Sequence, residues 1–130
     1  STHWDLLAGL PLSRSVEIGN GKKLFVCHAA PDDPWPYVCA HDVPQELLRA
    51  SFGEVDADVI AYGHMHKHHM LWMGDKLFLN VASVGLGAAG LSAYTLLQNF
   101  DNRWVVQQFQ VPYDAAEESR LIKSRGVPLP

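Results

Sequence analysis

Residues 58–66, Asp58-Val59-Ile60-Ala61-Tyr62-Gly63-His64-Met65-His66, decide how this chain is read. The β-branched and apolar run up to Tyr62 predicts a short buried strand, and Gly63 ends it. Two histidines then stand at the strand's exit. Upstream the same arrangement recurs, because the apolar run 22–27 predicts a strand that delivers His28 to its own exit. Ligands at the carboxyl ends of adjacent strands converge, since those ends open onto one crevice in α/β sheets. His28, His64 and His66 are therefore the candidate metal ligands, and neutral imidazole accepts Zn, Mn, Fe, Co or Ni. In an extended stretch His64 and His66 would share a face. In a tight loop, which Gly63 favours, they can straddle two metals.

Around this pair of strands the turn residues mark out the rest. Residues 14–18 alternate polar and apolar, Gly19-Asn20-Gly21 is a turn needing positive φ, and the two flanking runs predict a β-hairpin. Residues 69–73 and 76–81 flank Gly74-Asp75 as a second hairpin, and residues 91–98 and 104–111 flank Asn99-Phe100-Asp101-Asn102 as a third. Three helices are expected: a short one from Ser1 to before Gly9, one with Asp42 as cap and Pro44 in its first turn up to Gly53, and one capped by Asp114 and ending before Gly126. The three prolines and Asp32-Asp33 within 29–41 make a loop directly after His28, and residues 82–90 make a small-residue loop with three glycines.

The chain of 130 residues carries 10 basic and 14 acidic side chains, a formal net charge of −4, and is 48% hydrophobic. A single domain over residues 1–130 fits that length. Without a Lys/Arg cluster, binding to bulk nucleic acid through phosphate neutralisation is excluded as an expectation. No apolar run reaches the roughly 20 residues of a spanning helix, and residues 1–10 lack the basic start of a secretory signal, so a cytoplasmic protein without membrane contact is expected. Cys27 and Cys39 are too few for a disulfide scaffold and read as buried free thiols. On a strand Cys27 points opposite to His28, into the core.

Seven histidines are present, four of them between residues 64 and 69. His68 and His69 continue into a strand and are read as flanking the site. His3 and His41 read as solvent-facing imidazoles, although the Pro-rich loop can carry His41 or Asp32 towards a substrate.

The segments Lys23-Leu24-Phe25-Val26-Cys27-His28-Ala29-Ala30-Pro31, residues 58–66, and Leu79-Asn80-Val81-Ala82-Ser83-Val84-Gly85 resemble the last motifs of calcineurin-like metallophosphoesterases, nearest to the small prokaryotic phosphodiesterases. Leu10-Pro11, Ala93-Tyr94 and Val111-Pro112-Tyr113-Asp114 extend the likeness over nearly the whole chain. The resemblance implies an α/β protein, the carboxyl-terminal half of a four-layer α/β/β/α sandwich with a mixed sheet and three hairpins. It implies two divalent metal ions, manganese first, with iron, zinc or nickel accepted by the same ligands. His28 and His64 would bind one metal and His66 the other, while Asn80 and Ser83 would shape the substrate-side loop. The sequence departs from the pattern at Met65, where threonine is usual, at Lys67 and His68, and at Val81-Ala82, where Pro-Gly is usual.

The larger departure is an absence. The Asp-x-His, Gly-Asp-x-x-Asp and Gly-Asn-His segments that the family carries in its first half do not occur in these residues. No catalytic residue is therefore assigned to this chain, and the chain alone is expected to be inactive. Its implied partners are a phosphate-ester substrate and the amino-terminal half of the same domain; homo-oligomer formation is left open. Two other readings stand beside this one: a single-metal three-histidine centre such as a cupin-like oxygenase, and a non-catalytic module that binds a partner through an apolar sheet face.

Overall fold

A computed structural model of the protein describes residues 2–36, 44–87, 90–101 and 103–127. Its fold is mixed α/β, and its contacts divide the chain into two compact units, Ser1–Ala82 and Ser83–Pro130. In the first unit α1 (Thr2–Ala8) precedes β1 (Ser13–Glu17), β2 (Lys23–Cys27), α2 (Gln45–Phe52), β3 (Val59–Tyr62), β4 (His68–Met73) and β5 (Lys76–Val81). The second holds β6 (Leu91–Phe100), β7 (Arg103–Pro112) and α3 (Ala115–Ser124). All three expected hairpins form, pairing β1 with β2, β4 with β5 and β6 with β7. Their turns use the backbone the sequence announced: φ is +88° at Gly19, +53° at Asn20, +69° at Gly21 and +64° at Gly74.

The five strands of the first unit lie in the order β1-β2-β3-β5-β4. β2, β3 and β5 are parallel neighbours, with Val26 beside Ala61 and Tyr62 beside Asn80. Three strand exits therefore lie side by side at one end of the sheet, which is where His28, Gly63 and Ala82 follow. The near-continuous apolar character of β3 and β5 suits central parallel strands buried on both faces. Val59, Ile60, Leu77 and Phe78 are fully enclosed.

On one face Phe25, Cys27, Ile60, Tyr62 and Phe78 form the core with Leu48 and Phe52 of α2. Leu48 and Phe52 are four residues apart, so they share one side of the helix and both turn inwards. Burying each such side chain contributes about 1.5–3 kcal/mol. The N-cap of α2 is Pro44, which offers no side-chain acceptor, and Gly53 closes the helix with its N–H on the Arg49 carbonyl. The expected cap residue Asp42, like Cys39 and His41, lies outside the described residues.

Asp58 fastens β3 to β2 from below. Its Oδ1 accepts from Lys22 Nζ and its Oδ2 from the Lys23 N–H, each at 2.8 Å. The Lys22 hydrogen bond, then the Lys23 N–H, holds this carboxyl below its ordinary value.

In the second unit, β6 and β7 form a ten-residue ribbon whose rings of Tyr94 and Phe109 stack across the strands at 4.8 Å. The expected cap of α3 is present, with Asp114 Oδ1 accepting from the Glu117 N–H at 2.9 Å. Among the described residues no helix is long and apolar enough to cross a membrane.

Candidate metal centre

The parallel pairing of β2 with β3 does what the sequence required of it. His28 follows β2, Gly63 follows β3, and the Gly63 N–H donates to the His28 carbonyl at 2.9 Å, which ties the two exits together. Their side chains meet: His28 Nε2 and His64 Nδ1 are 3.1 Å apart, with the rings edge to face at 78°. Two nitrogens bound to one metal ion at about 2.0–2.1 Å stand roughly 3.0–3.4 Å from each other in tetrahedral or octahedral geometry. The spacing thus fits two neighbouring ligands of one cation.

Partial loss of water from the His28 ring lowers its pKa from the ordinary imidazole value, and the neighbouring His64 and His66 add to the shift in that order. A ligand imidazole must be neutral, and this environment favours the neutral form. His66 is close enough to be felt by His28 but is not in the 3.1 Å pair. Among the described residues no group of three or more His, Cys, Asp or Glu side chains is disposed to hold a metal ion. That holds for His28, His64 and His66 taken together, so the close pair alone is what the fold brings within ligand spacing.

The loop carrying the pair is bent. His64 and His66 sit at φ +61° and +51°, and Ala82 after β5 at +64°. The Met65 N–H reaches the Gly63 carbonyl at 2.7 Å, an i to i+2 hydrogen bond that turns the chain at His64. Non-glycine residues in this left-handed region each cost about 1–3 kcal/mol and persist only where the surroundings hold them. Gly63 itself does not have positive φ, and a Cβ there would meet only the Ala82 and His28 carbonyl oxygens at 3.8 and 3.9 Å. The bend lies one residue beyond the glycine that the sequence marks.

Asn80 is fully buried in β5. Its Nδ2 donates to the Gly63 carbonyl at 2.8 Å and its Oδ1 accepts from the Ala82 N–H at 3.0 Å. Expected at the substrate-side loop, it is enclosed and reaches its surroundings through backbone groups. Ser83, in the second unit, accepts with Oγ from the N–H groups of Leu86 at 2.9 Å and Gly85 at 3.3 Å, shaping its own loop. His68 and His69 open β4, and the Nε2 of His68 is buried with no hydrogen-bond partner. His3 is exposed on α1 and Asp32 is exposed in the loop after His28. Cys27 is in the core, where burial raises its thiol to about 11. Sequence reasoning named Asn80 as shaping this loop; what it did not foresee is that the amide does so from inside the buried strand, by holding the Gly63 carbonyl and the Ala82 N–H.

These strands and loops make a fold shared with a solved metallophosphoesterase. Among solved structures it is similar to a hypothetical protein of Pyrococcus horikoshii, with a TM-score of 0.77 at 18% identity over 95% of this chain and 49% of that one. It is similar to a metallophosphoesterase of Sphaerobacter thermophilus, with a TM-score of 0.69 at 17% identity, over 98% of this chain and 59% of the other. A third is the zinc complex of wild-type Vps29 from Entamoeba histolytica, with a TM-score of 0.55 at 24% identity over 82% and 63%. The chain thus spans about half to less than two thirds of the length of these proteins. By sequence, no family model and no curated protein matches it.

Proposed function

We propose that this chain supplies the histidine side of a divalent-metal site in a phosphodiester-hydrolysing metallophosphoesterase domain. The observation that carries the reading is the 3.1 Å approach of His28 Nε2 to His64 Nδ1 at two parallel strand exits of this fold. His28 and His64 would hold one ion and His66 a second, a division consistent with His66 lying outside the close pair. Manganese is the first candidate, with iron, zinc or nickel suited to the same donors; the zinc in the Entamoeba Vps29 complex supports a divalent ion in this fold. When bound, such ions supply charge neutralisation for a phosphoryl group and lower the pKa of bound water so that hydroxide exists near neutral pH. What the residues of this chain do is narrower. Neutral imidazoles add no negative charge against an anionic phosphate, and the lowered pKa of His28 keeps it neutral and able to bind.

The bridging carboxylate and the group that protonates the leaving oxygen are assigned to the amino-terminal half of the domain, and the cytoplasm to the whole protein. The test is metal-dependent hydrolysis of bis(p-nitrophenyl) phosphate together with elemental analysis. The complete domain is expected to bind two equivalents of metal and turn over the diester, and this chain alone is expected to be inactive. Robust turnover by this chain alone would overturn the division of labour, and one equivalent in the complete domain would favour a single-metal site. A second reading, a non-catalytic interaction module, draws on the exposed Trp72, Met70 and Val26 of the first unit's sheet. It gains if His28→Ala and His64→Ala leave metal content and activity of the complete domain unchanged.

A further inference from the structure

We infer that Asn80 is a positioning residue for the histidine pair, acting through the Gly63 peptide without touching metal or substrate. This deepens the reading of His28 and His64 as ligands and rests on it for its meaning. Asn80 stands in a β5 run that is otherwise apolar from Leu77 to Val81, and it is the sole buried polar residue among the described core. An amide taken out of water must be paired at both ends, and here both ends go to loop backbone. Its Nδ2 holds the Gly63 carbonyl and its Oδ1 holds the Ala82 N–H. Gly63 passes the connection on, since its own N–H holds the His28 carbonyl. One side chain therefore joins the exits of β5, β3 and β2.

The point it grips is the one that matters for the imidazoles. The Gly63 carbonyl takes two donors, the Met65 N–H from inside the bent loop and Asn80 Nδ2 from outside it. His64, between Gly63 and Met65, is held at φ +61°, a region uncommon for residues other than glycine. Without the outside donor the Gly63 carbonyl keeps only the Met65 N–H from its own loop, nothing outside the loop holds the bend, and His64 can relax to negative φ and carry its ring away from His28. The glycine's missing side chain is not the device, because a Cβ at Gly63 meets only ordinary contacts.

The experiment compares the unmodified chain with Asn80→Ala, Asn80→Leu and Leu79→Ala. Leu79, 1% exposed and adjacent in β5, serves as the control for destabilisation alone. Two readouts are taken below the unfolding transition: proton NOEs between the His28 and His64 rings in metal-free chain, and Ni2+ affinity by calorimetry. The expected result is loss of the ring NOEs and a weakening of Ni2+ binding by about 10–100-fold in both Asn80 variants, the range seen when groups that orient metal ligands are removed. Leu79→Ala is expected to keep the NOEs and to bind Ni2+ nearly as the unmodified chain does. Asn80→Leu fills the volume and leaves no cavity, so it carries the test if the alanine variant does not fold. NOEs retained in a folded Asn80 variant, or lost equally in Leu79→Ala, would overturn the inference. If the unmodified chain shows the NOEs but does not bind Ni2+, the metal reading fails while loss of NOEs in the Asn80 variants still supports the clamp.

Discussion

Replacing Phe52 by alanine removes the side chain through which α2 is seated on the sheet. Phe52 is 1% exposed, its ring lies edge-on to Phe78 at 5.7 Å and 84°, and it faces Tyr62 at 6.1 Å and 31°. Truncating a buried phenylalanine costs about 3–5 kcal/mol through lost transfer energy and the cavity left behind. The two aromatic partners place this case near the upper end, since such pairs contribute about 0.5–1.5 kcal/mol beyond burial. Against a total stability of about 5–15 kcal/mol for a domain, that is a large fraction. Urea unfolding followed by far-ultraviolet circular dichroism checks it: with a slope of about 1–3 kcal/mol/M, the midpoint should fall by about 2 M or more. A loss under about 1.5 kcal/mol at unchanged slope would mean that α2 does not rest on this ring, and the packing assigned to the β3 and β5 strands would be wrong.

Three further outcomes are expected. Because the folded pKa of Asp58 lies below its unfolded value, its contribution is present above the ordinary carboxylate pKa near 3.9 and lost as pH falls through the folded value. Urea midpoints of the unmodified chain should therefore drop below about pH 4, more steeply than those of Asp58→Asn, and equal acid limbs would contradict the Lys22 pairing. Cys27 shifts the other way: with its thiol near 11, stability is whole below the ordinary thiol pKa of about 8.5 and declines as pH rises from there. At pH 8 only about one Cys27 in a thousand is thiolate, so in Cys39→Ser chain Ellman's reagent should react only after denaturant is added. For cation binding, the lowered pKa of His28 makes its share of the fall in Ni2+ affinity between pH 7 and pH 5, read by comparing the unmodified chain with His28→Ala, smaller than the roughly twenty-five-fold expected of an ordinary imidazole.

What was legible in the sequence follows the range of the forces involved. The hairpins were announced by residues that tolerate positive φ, Gly19-Asn20-Gly21 and Gly74, because a turn is a local matter of backbone sterics. The last helix was announced by Asp114, whose carboxylate caps it as its position relative to Glu117 suggests. The strand exits were legible because an apolar run ends where a glycine or histidine begins. Which strands pair was not, since β2, β3 and β5 are separated by whole elements and their parallel register depends on tertiary contact. Nor was the left-handed backbone of His64 and His66, a region uncommon for residues other than glycine. At His64 the constraint we infer comes from Asn80, distant in sequence, through the Gly63 carbonyl. His28 and His64 could be nominated from their positions, whereas their 3.1 Å meeting needed the folded chain.

The most direct measurement is calorimetric titration of Ni2+ into the unmodified chain, His28→Ala, His64→Ala and His68→Ala at pH 7. If His28 and His64 jointly hold a cation, the unmodified chain binds tightly, either of those two substitutions weakens binding by at least about tenfold, and His68→Ala leaves it unchanged. Equal affinity in all four chains would mean that the two rings meet without holding a metal.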